Sequence, residues 1–279
     1  MLVKDVMNAK PVYAEVPSKR SAVLSNMIRN EVSSEPVVRK DKGTLVGIVS
    51  IKELMSRSET DQTALIMNPR PPRVRPKDEV QKVAKAIIRS GFRAIPVIDD
   101  SSRLIGIVSV EDLLEKIDDS ELLKMPVDEL LSKTFASAWS ETPMPVAYKI
   151  MDHSGYDTIT LIDSQGNINS YLTQIDFLKE LEEEYSSSKA QMQASSESED
   201  WDWSVSPVLY VGMKGMTLPN KKISELSPRK LPVVPSGTTV EVAISEALRA
   251  RAPQVAVKEN GEVIGMLYDL SIIEQLLNP

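Results

Sequence analysis

One segment recurs four times along this chain, and that internal repeat restricts the fold more than any other feature. Its clearest copy reads Phe92-Arg93-Ala94-Ile95-Pro96-Val97-Ile98-Asp99, then Leu104-Ile105-Gly106-Ile107-Val108-Ser109-Val110-Glu111-Asp112-Leu113. An earlier copy carries Ser34-Glu35-Pro36-Val37-Val38, then Leu45-Val46-Gly47-Ile48-Val49-Ser50-Ile51-Lys52-Glu53-Leu54. A third carries Asp157-Thr158-Ile159-Thr160-Leu161-Ile162-Asp163, then Ile168-Asn169-Ser170-Tyr171-Leu172-Thr173-Gln174-Ile175-Asp176-Phe177. The fourth carries Gln254-Val255-Ala256-Val257, then Val263-Ile264-Gly265-Met266-Leu267-Tyr268-Asp269-Leu270-Ser271-Ile272. The first two copies are close to each other, and the last two are eroded.

Each copy follows one grammar. A short extended piece, such as Val12 to Val16 or Arg73-Val74, precedes a helix. In the second copy Val80, Val83, Ala84, Ile87 and Ile88 fall on one face at helical spacing, and Gly91 ends the helix. Two apolar strands follow, joined by turn-rich links such as Asp100-Ser101-Ser102 and Asn260-Gly261. A second helix closes the unit, over Glu111 to Ile117 or Gln174 to Glu184. A three-stranded β-α-β-β-α piece cannot cover its own sheet, so the copies should pack in pairs. The expected fold is therefore α/β, or α+β, with a first pair over residues 1–124 (motifs 3–57 and 64–117) and a second over 125–279 (motifs 125–185 and 218–277). The stretch 186–206 is rich in Ser, Glu and Asp and reads as a flexible linker. Trp201 and Trp203 lie inside it, either as a docking motif for a partner or as rings anchored on the protein's own surface.

Composition narrows the chemistry. The chain has no cysteine and one histidine, His153, which removes disulfides, thiolate metal sites and a thiol nucleophile and leaves a Ser-His-Asp triad improbable. No metal site is expected; the acidic triplet Glu182-Glu183-Glu184 reads as solvated charge continuing a helix. No apolar run approaches the roughly 20 residues that span a bilayer, and the N-terminus lacks the regions of a signal peptide. A cytoplasmic protein with no membrane partner is expected. The net charge of −7 divides unevenly, with +3 over residues 1–124 and −10 over 125–279. So acidic a chain is a poor nucleic-acid binder, and Arg70, Arg73 and Arg75 without interleaved aromatics do not alter that.

The pattern Gly91-x-x-x-x-Pro96-Val97-x-Asp99, then Gly106-hydrophobic-hydrophobic-Ser109-x-x-Asp112, resembles the CBS domain, named after cystathionine beta-synthase. The chain is similar to four-motif members of that family, among them the regulatory gamma subunit of AMP-activated protein kinase and stand-alone archaeal relatives. The resemblance implies that motifs pair through their sheets into modules, and that two modules form a flat disk, within one chain or as a homodimer. It also implies a regulatory ligand, AMP, ADP or ATP, held in clefts between paired motifs, with no catalytic cofactor. The Ser/Thr-x-x-Asp of such a motif supplies a carboxylate for the ribose, and a basic residue before the second strand often holds phosphate.

On those positions the second copy is the best equipped. Asp112 is the expected ribose ligand, Ser109 the hydroxyl and Arg93 the phosphate cation, with Arg73 adding positive potential and Val74, Ala94 and Ile95 walling the base. The third copy keeps Thr173 and Asp176 but has Asp157 where the second has Arg93, and a carboxylate there repels phosphate. The first copy, with Ser50 and Glu53, is a weaker candidate, because glutamate is one methylene too long for the same geometry. In the fourth, Tyr268 and Ser271 replace the hydroxyl and carboxylate, and Tyr268 is able to fill the slot. The function expected is a non-catalytic sensor of adenine nucleotides that signals to a regulated protein partner. The alternatives are a ligand-free scaffold of degenerate motifs and a module that binds S-adenosylmethionine.

Overall fold

The computed structural model describes residues 1–56, 60–191 and 208–277. The first motif comprises α1 (Val3–Val6), β1 (Ala14–Val16), α2 (Arg20–Asn30), β2 (Ser34–Arg39), β3 (Leu45–Ser50) and α3 (Ile51–Ser56). The second comprises α4 (Thr63–Ile66), α5 (Val80–Ser90), β4 (Ala94–Ile98), β5 (Leu104–Ser109) and α6 (Val110–Glu115). After α7 (Ser120–Lys124), the third comprises β6 (Ser137–Trp139), α8 (Met144–Ser154), β7 (Thr158–Ile162), β8 (Ile168–Thr173) and α9 (Gln174–Leu178). A ribbon of β9 (Glu182–Gln191) and β10 (Val208–Thr217) then precedes the fourth motif. That motif comprises β11 (Arg229–Lys230), β12 (Val233–Pro235), α10 (Val240–Ala250), β13 (Gln254–Glu259), β14 (Glu262–Tyr268) and α11 (Asp269–Gln275).

Local sequence accounts for these units. Helix α5 buries Val83, Ala84 and Ile87 on one stripe and stops at Gly91, whose φ of 72° is the left-handed conformation that glycine adopts without strain. In every motif the first strand or bridge runs parallel to the second strand, and the second pairs antiparallel with the third. All four hairpins break register at the same place, at Val37/Val38, Val97/Ile98, Leu161/Ile162 and Val257/Lys258. A shared bulge is independent structural support for the fourfold repeat.

Motifs pair by exchanging the segments that lead into them. Asn8, in the segment between α1 and β1 of the first motif, hydrogen-bonds Ile107 of the second in both directions, at 2.9 and 3.0 Å. Asn68, between α4 and α5 of the second, does the same with Ile48 of the first, at 3.0 and 2.8 Å. The second half repeats the arrangement: Ser132 pairs with Met266 at 2.9 Å each way, and β11 pairs with β8. The exchange explains the glycine of the repeat. A Cβ on Gly265 would stand 2.6 Å from the Ser132 carbonyl oxygen, and one on Gly106 would stand 3.0 Å from that of Asn8. The third motif has Ser170 at this position, and there the crossing segment forms a regular ladder, Lys230 opposite Ser170.

The modules then close on each other through helices within one chain. Helices α5 and α6 of the second motif pack on α10 and α11 of the fourth, merging Val83, Ile87, Leu113 and Leu114 with Val240, Ile244, Ile272 and Ile273 in one core. Helices α2 and α3 of the first motif pack on α9 of the third, whose Ile175 and Leu178 join the core of Val23, Met27 and Leu54.

Two sequence expectations are corrected. The closing helix of the third motif ends at Leu178 rather than Glu184, because Glu182, Glu183 and Glu184 pair in register with Thr217, Met216 and Gly215. That partner strand lies far along the chain, out of reach of a local periodicity argument. Of the expected linker 186–206, residues 186–191 belong to β9, while 192–206, including Trp201 and Trp203, lie outside the described residues.

Candidate functional site

The closing helices of the first three motifs start on a side-chain cap, whereas α11 of the fourth, preceded by Tyr268, has none. Asp112 Oδ2 accepts from Ser109 N at 2.7 Å and Ser109 Oγ at 2.8 Å, while Ser109 Oγ accepts from Asp112 N at 3.1 Å. Thr173 N and Oγ1 donate to Asp176 Oδ2 in the same way, at 2.9 Å each. Ser50 N and Oγ donate to Glu53 Oε2, so the longer glutamate keeps the capping role. Four orphan N–H groups at a helix start explain why Ser-x-x-Asp is retained there whether or not anything binds.

A cavity of about 460 Å³ lies where the four motifs meet. One side is built by the first pair: Asn8 and Val12 of the exchanged segment, Val32 and Ser33 just before β2 with Ser34 at its start, and Ile107, Ser109 and Asp112 of the second motif. The cleft around Asp112 is thus composite, and part of its wall comes from the first motif. Asp112 Oδ1 takes no hydrogen bond among the described residues. The Ser34 Oγ is buried on this wall and has no partner.

The other side belongs to the second pair and is internally satisfied. Arg229 Nε and Nη2 reach both oxygens of Asp176 at 3.1–3.3 Å, and Lys179 adds a contact at 3.7 Å. Arg229 stands opposite Tyr171 in β8, the place Asn8 holds opposite Ile107, and a guanidinium there is long enough to take the whole carboxylate. Thr173 lines the cavity, but Asp176 is already occupied. In the fourth motif Tyr268 stacks on Tyr156 with ring centroids 5.0 Å apart and planes at 23°, so the slot holds a side chain.

At the junction of the modules sits Arg93. It donates from Nη2 to Asp269 Oδ2, and lies 3.5 Å from both Asp157 and Glu111. The ion pair is buried, with the Asp269 side chain 3% exposed. Burial pushes the Asp269 carboxyl up to about 6 against the opposing pull of Arg93. Burial also disfavours the charged guanidinium, but Asp269, Glu111 and Asp157 together outweigh it and hold Arg93 above its ordinary value.

The sequence-derived site is therefore partly assembled and partly redistributed. Ser109, Asp112, Arg93, Ala94 and Thr173 line one cavity. The reading of Arg93 as a free phosphate cation is corrected, since three carboxylates surround it, and Asp157 neutralises Arg93 instead of facing a ligand alone. Val74 and Ile95 pack in the core, 2% and 0% exposed, and Arg73, Ser50 and Glu53 do not line the cavity. Sequence reasoning passed over Arg229, Ser34 and Asp269. Asp269 directly follows the tyrosine that marked the fourth motif as eroded, so its acidity was in view but its partner, 176 residues away, was not.

Four β-α-β-β-α units, paired by exchanged segments and closed by their helices around a central cavity, define a tandem-repeat module of mixed α/β architecture. A family model of the CBS domain matches residues 3–59, 63–119 and 223–278, and the chain belongs to that family. The third unit is recognised by its fold. Over 99% of this chain the structure superposes on protein MJ1225 of Methanocaldococcus jannaschii, covering 100% of it, with a TM-score of 0.72 at 14% identity. An uncharacterized conserved protein of Pyrococcus horikoshii gives a TM-score of 0.63 at 21% identity, covering 99% of this chain and 100% of that one. Among curated relatives, the magnesium transporter MgtE of Thermus thermophilus is 35% identical over 78 residues, 28% of this chain and 17% of the transporter. The chain thus spans a small part of that relative. No described helix is long and apolar enough to cross a membrane.

Proposed function

We propose that the chain is a non-catalytic regulatory module that holds an adenosine ligand, an adenine nucleotide or S-adenosylmethionine, against Asp112 and passes its occupancy to a partner protein. One observation carries the reading. Asp112 faces the cavity with Oδ1 unused, whereas the equivalent Asp176 is consumed by Arg229. An unused carboxylate oxygen in a cavity also lined by Ser33 and Ser34 suits a ribose diol, and Val12, Val32 and Ile107 offer an apolar slot for a base. Binding between exchanged segments and helices of two modules biases their relative position, which is the signal a partner reads.

Calorimetry on the full chain with adenosine, AMP, ADP, ATP and S-adenosylmethionine tests this. Wild-type protein is expected to bind, and Asp112→Asn to weaken every adenosyl ligand by roughly 5- to 150-fold, the equivalent of about 1–3 kcal/mol. No binding by wild-type protein at millimolar concentration would leave a ligand-free scaffold.

A further inference from the structure

The cavity wall carries an excess of negative charge that the protein itself does not cancel. Six carboxylates line it, and three guanidiniums. Two of those three are spent. Arg93 is held by Asp269, Asp157 and Glu111. Arg229 is shared between Asp176 and Glu31. The remaining one, Arg251, sits exposed at the end of α10 with no ion pair among the described residues. Asp112 and Glu115, one helical turn apart on α6, have no cation partner among the described residues either. A second kind of observation marks the same cavity as a place for a ligand: Ser34, 5% exposed, lines it, and its buried hydroxyl has no hydrogen-bond partner among the described residues.

A phosphate chain entering here adds negative charge to a negative wall. Of the lining cations it finds only the exposed Arg251 unpaired among the described residues, and to recruit Arg93 as well it has to displace Asp269, which then stays buried as an unpaired carboxylate. A cation entering the same space meets Glu115 and Asp112, which have no cation partner among the described residues, and displaces nothing. The low dielectric of a partly enclosed cavity enlarges both effects relative to water.

We infer that the cavity selects an adenosine ligand whose 5′ substituent is cationic over one whose 5′ substituent is phosphate. The inference rests on the adenosine reading above and sharpens it. Base and ribose are recognised through the apolar slot and Asp112, and the acidic residues of α6 set the charge of the 5′ group.

Three matched probes test it on the full chain: adenosine, 5′-amino-5′-deoxyadenosine, which is protonated at pH 7, and AMP, each titrated with and without magnesium. The 5′-amino compound is expected to bind about fivefold or more tighter than adenosine, and AMP more weakly than adenosine. Raising the salt concentration should narrow the gap. Glu115→Gln should lower the ratio of 5′-amino to adenosine affinity, which separates charge selection from a general packing effect. If adenosine itself fails to bind, the adenosine reading falls. If adenosine binds and AMP, in either condition, binds as tightly as the 5′-amino compound, this inference falls while the adenosine reading stands.

Discussion

Arg93 of the second motif donates to Asp269 of the fourth, and this pair ties the two modules together at the centre of the molecule. The guanidinium is also within 3.5 Å of Asp157 in the third motif, so one side chain touches three of the four units. A charge at this place acts on assembly before it acts on any ligand.

Arg93→Ala should therefore destabilise the protein by about 3–5 kcal/mol, because Asp269 is left buried without a cation. The double variant Arg93→Met/Asp269→Leu should recover most of the loss. Urea unfolding at pH 7 measures both, and an Arg93→Ala protein as stable as wild type would show that the pair contributes nothing.

Asp157→Arg is expected to destabilise by about 1 kcal/mol and to create no phosphate site. It sets a second guanidinium against Arg93 and removes the carboxylate that accepts from Gln174 at 3.3 Å. Thermal unfolding and a titration with AMP report the two halves of this expectation. A gain in AMP affinity would restore the view that Asp157 only repels phosphate.

Glu35 occupies a position where the other copies carry Ile95, Ile159 and Val255, and it is fully buried. Burial raises its carboxyl from 4.5 to about 7, with the Asn26 hydrogen bond opposing. The folded state thus keeps a proton that the unfolded chain has released. Stability should fall by up to about 3 kcal/mol as pH rises from 4.5 to 7 and level off above, since the folded state binds more protons across that window. Glu35→Gln should flatten this portion of the stability–pH curve. An identical slope in wild type and variant would place the titration elsewhere.

Gly265→Ala should cost about 1–3 kcal/mol, because its Cβ meets the Ser132 carbonyl oxygen at 2.6 Å and Leu131 Cγ at 2.7 Å. Gly43→Ala meets nothing within 4 Å and pays only for its φ of 63°, so it should cost about 1 kcal/mol. Denaturation midpoints of the two variants compare close approach with backbone strain. Equal midpoints would mean that the exchanged segment yields easily.

The chain itself specified the unit, its fourfold recurrence and its caps. Ser109 and Asp112 are three residues apart, Thr173 and Asp176 likewise, and a helix start imposes that spacing through its own unpaired N–H groups. Tyr268 was legible as an obstruction from its size and its place in the repeat, although its stacking partner Tyr156 was not. Tertiary structure decided which copies share a cleft. Exchange of the leading segments puts Asn8 beside the second motif and Arg229 onto Asp176, 53 residues away in sequence. Helix packing between modules brings Arg93 to Asp269 across 176 residues. Spacing along the sequence encodes hydrogen bonds that close within a turn of helix. Charges that meet only after two sheets and two sets of helices have packed leave no periodic trace, so an arginine that looked like a ligand's partner was already the protein's own.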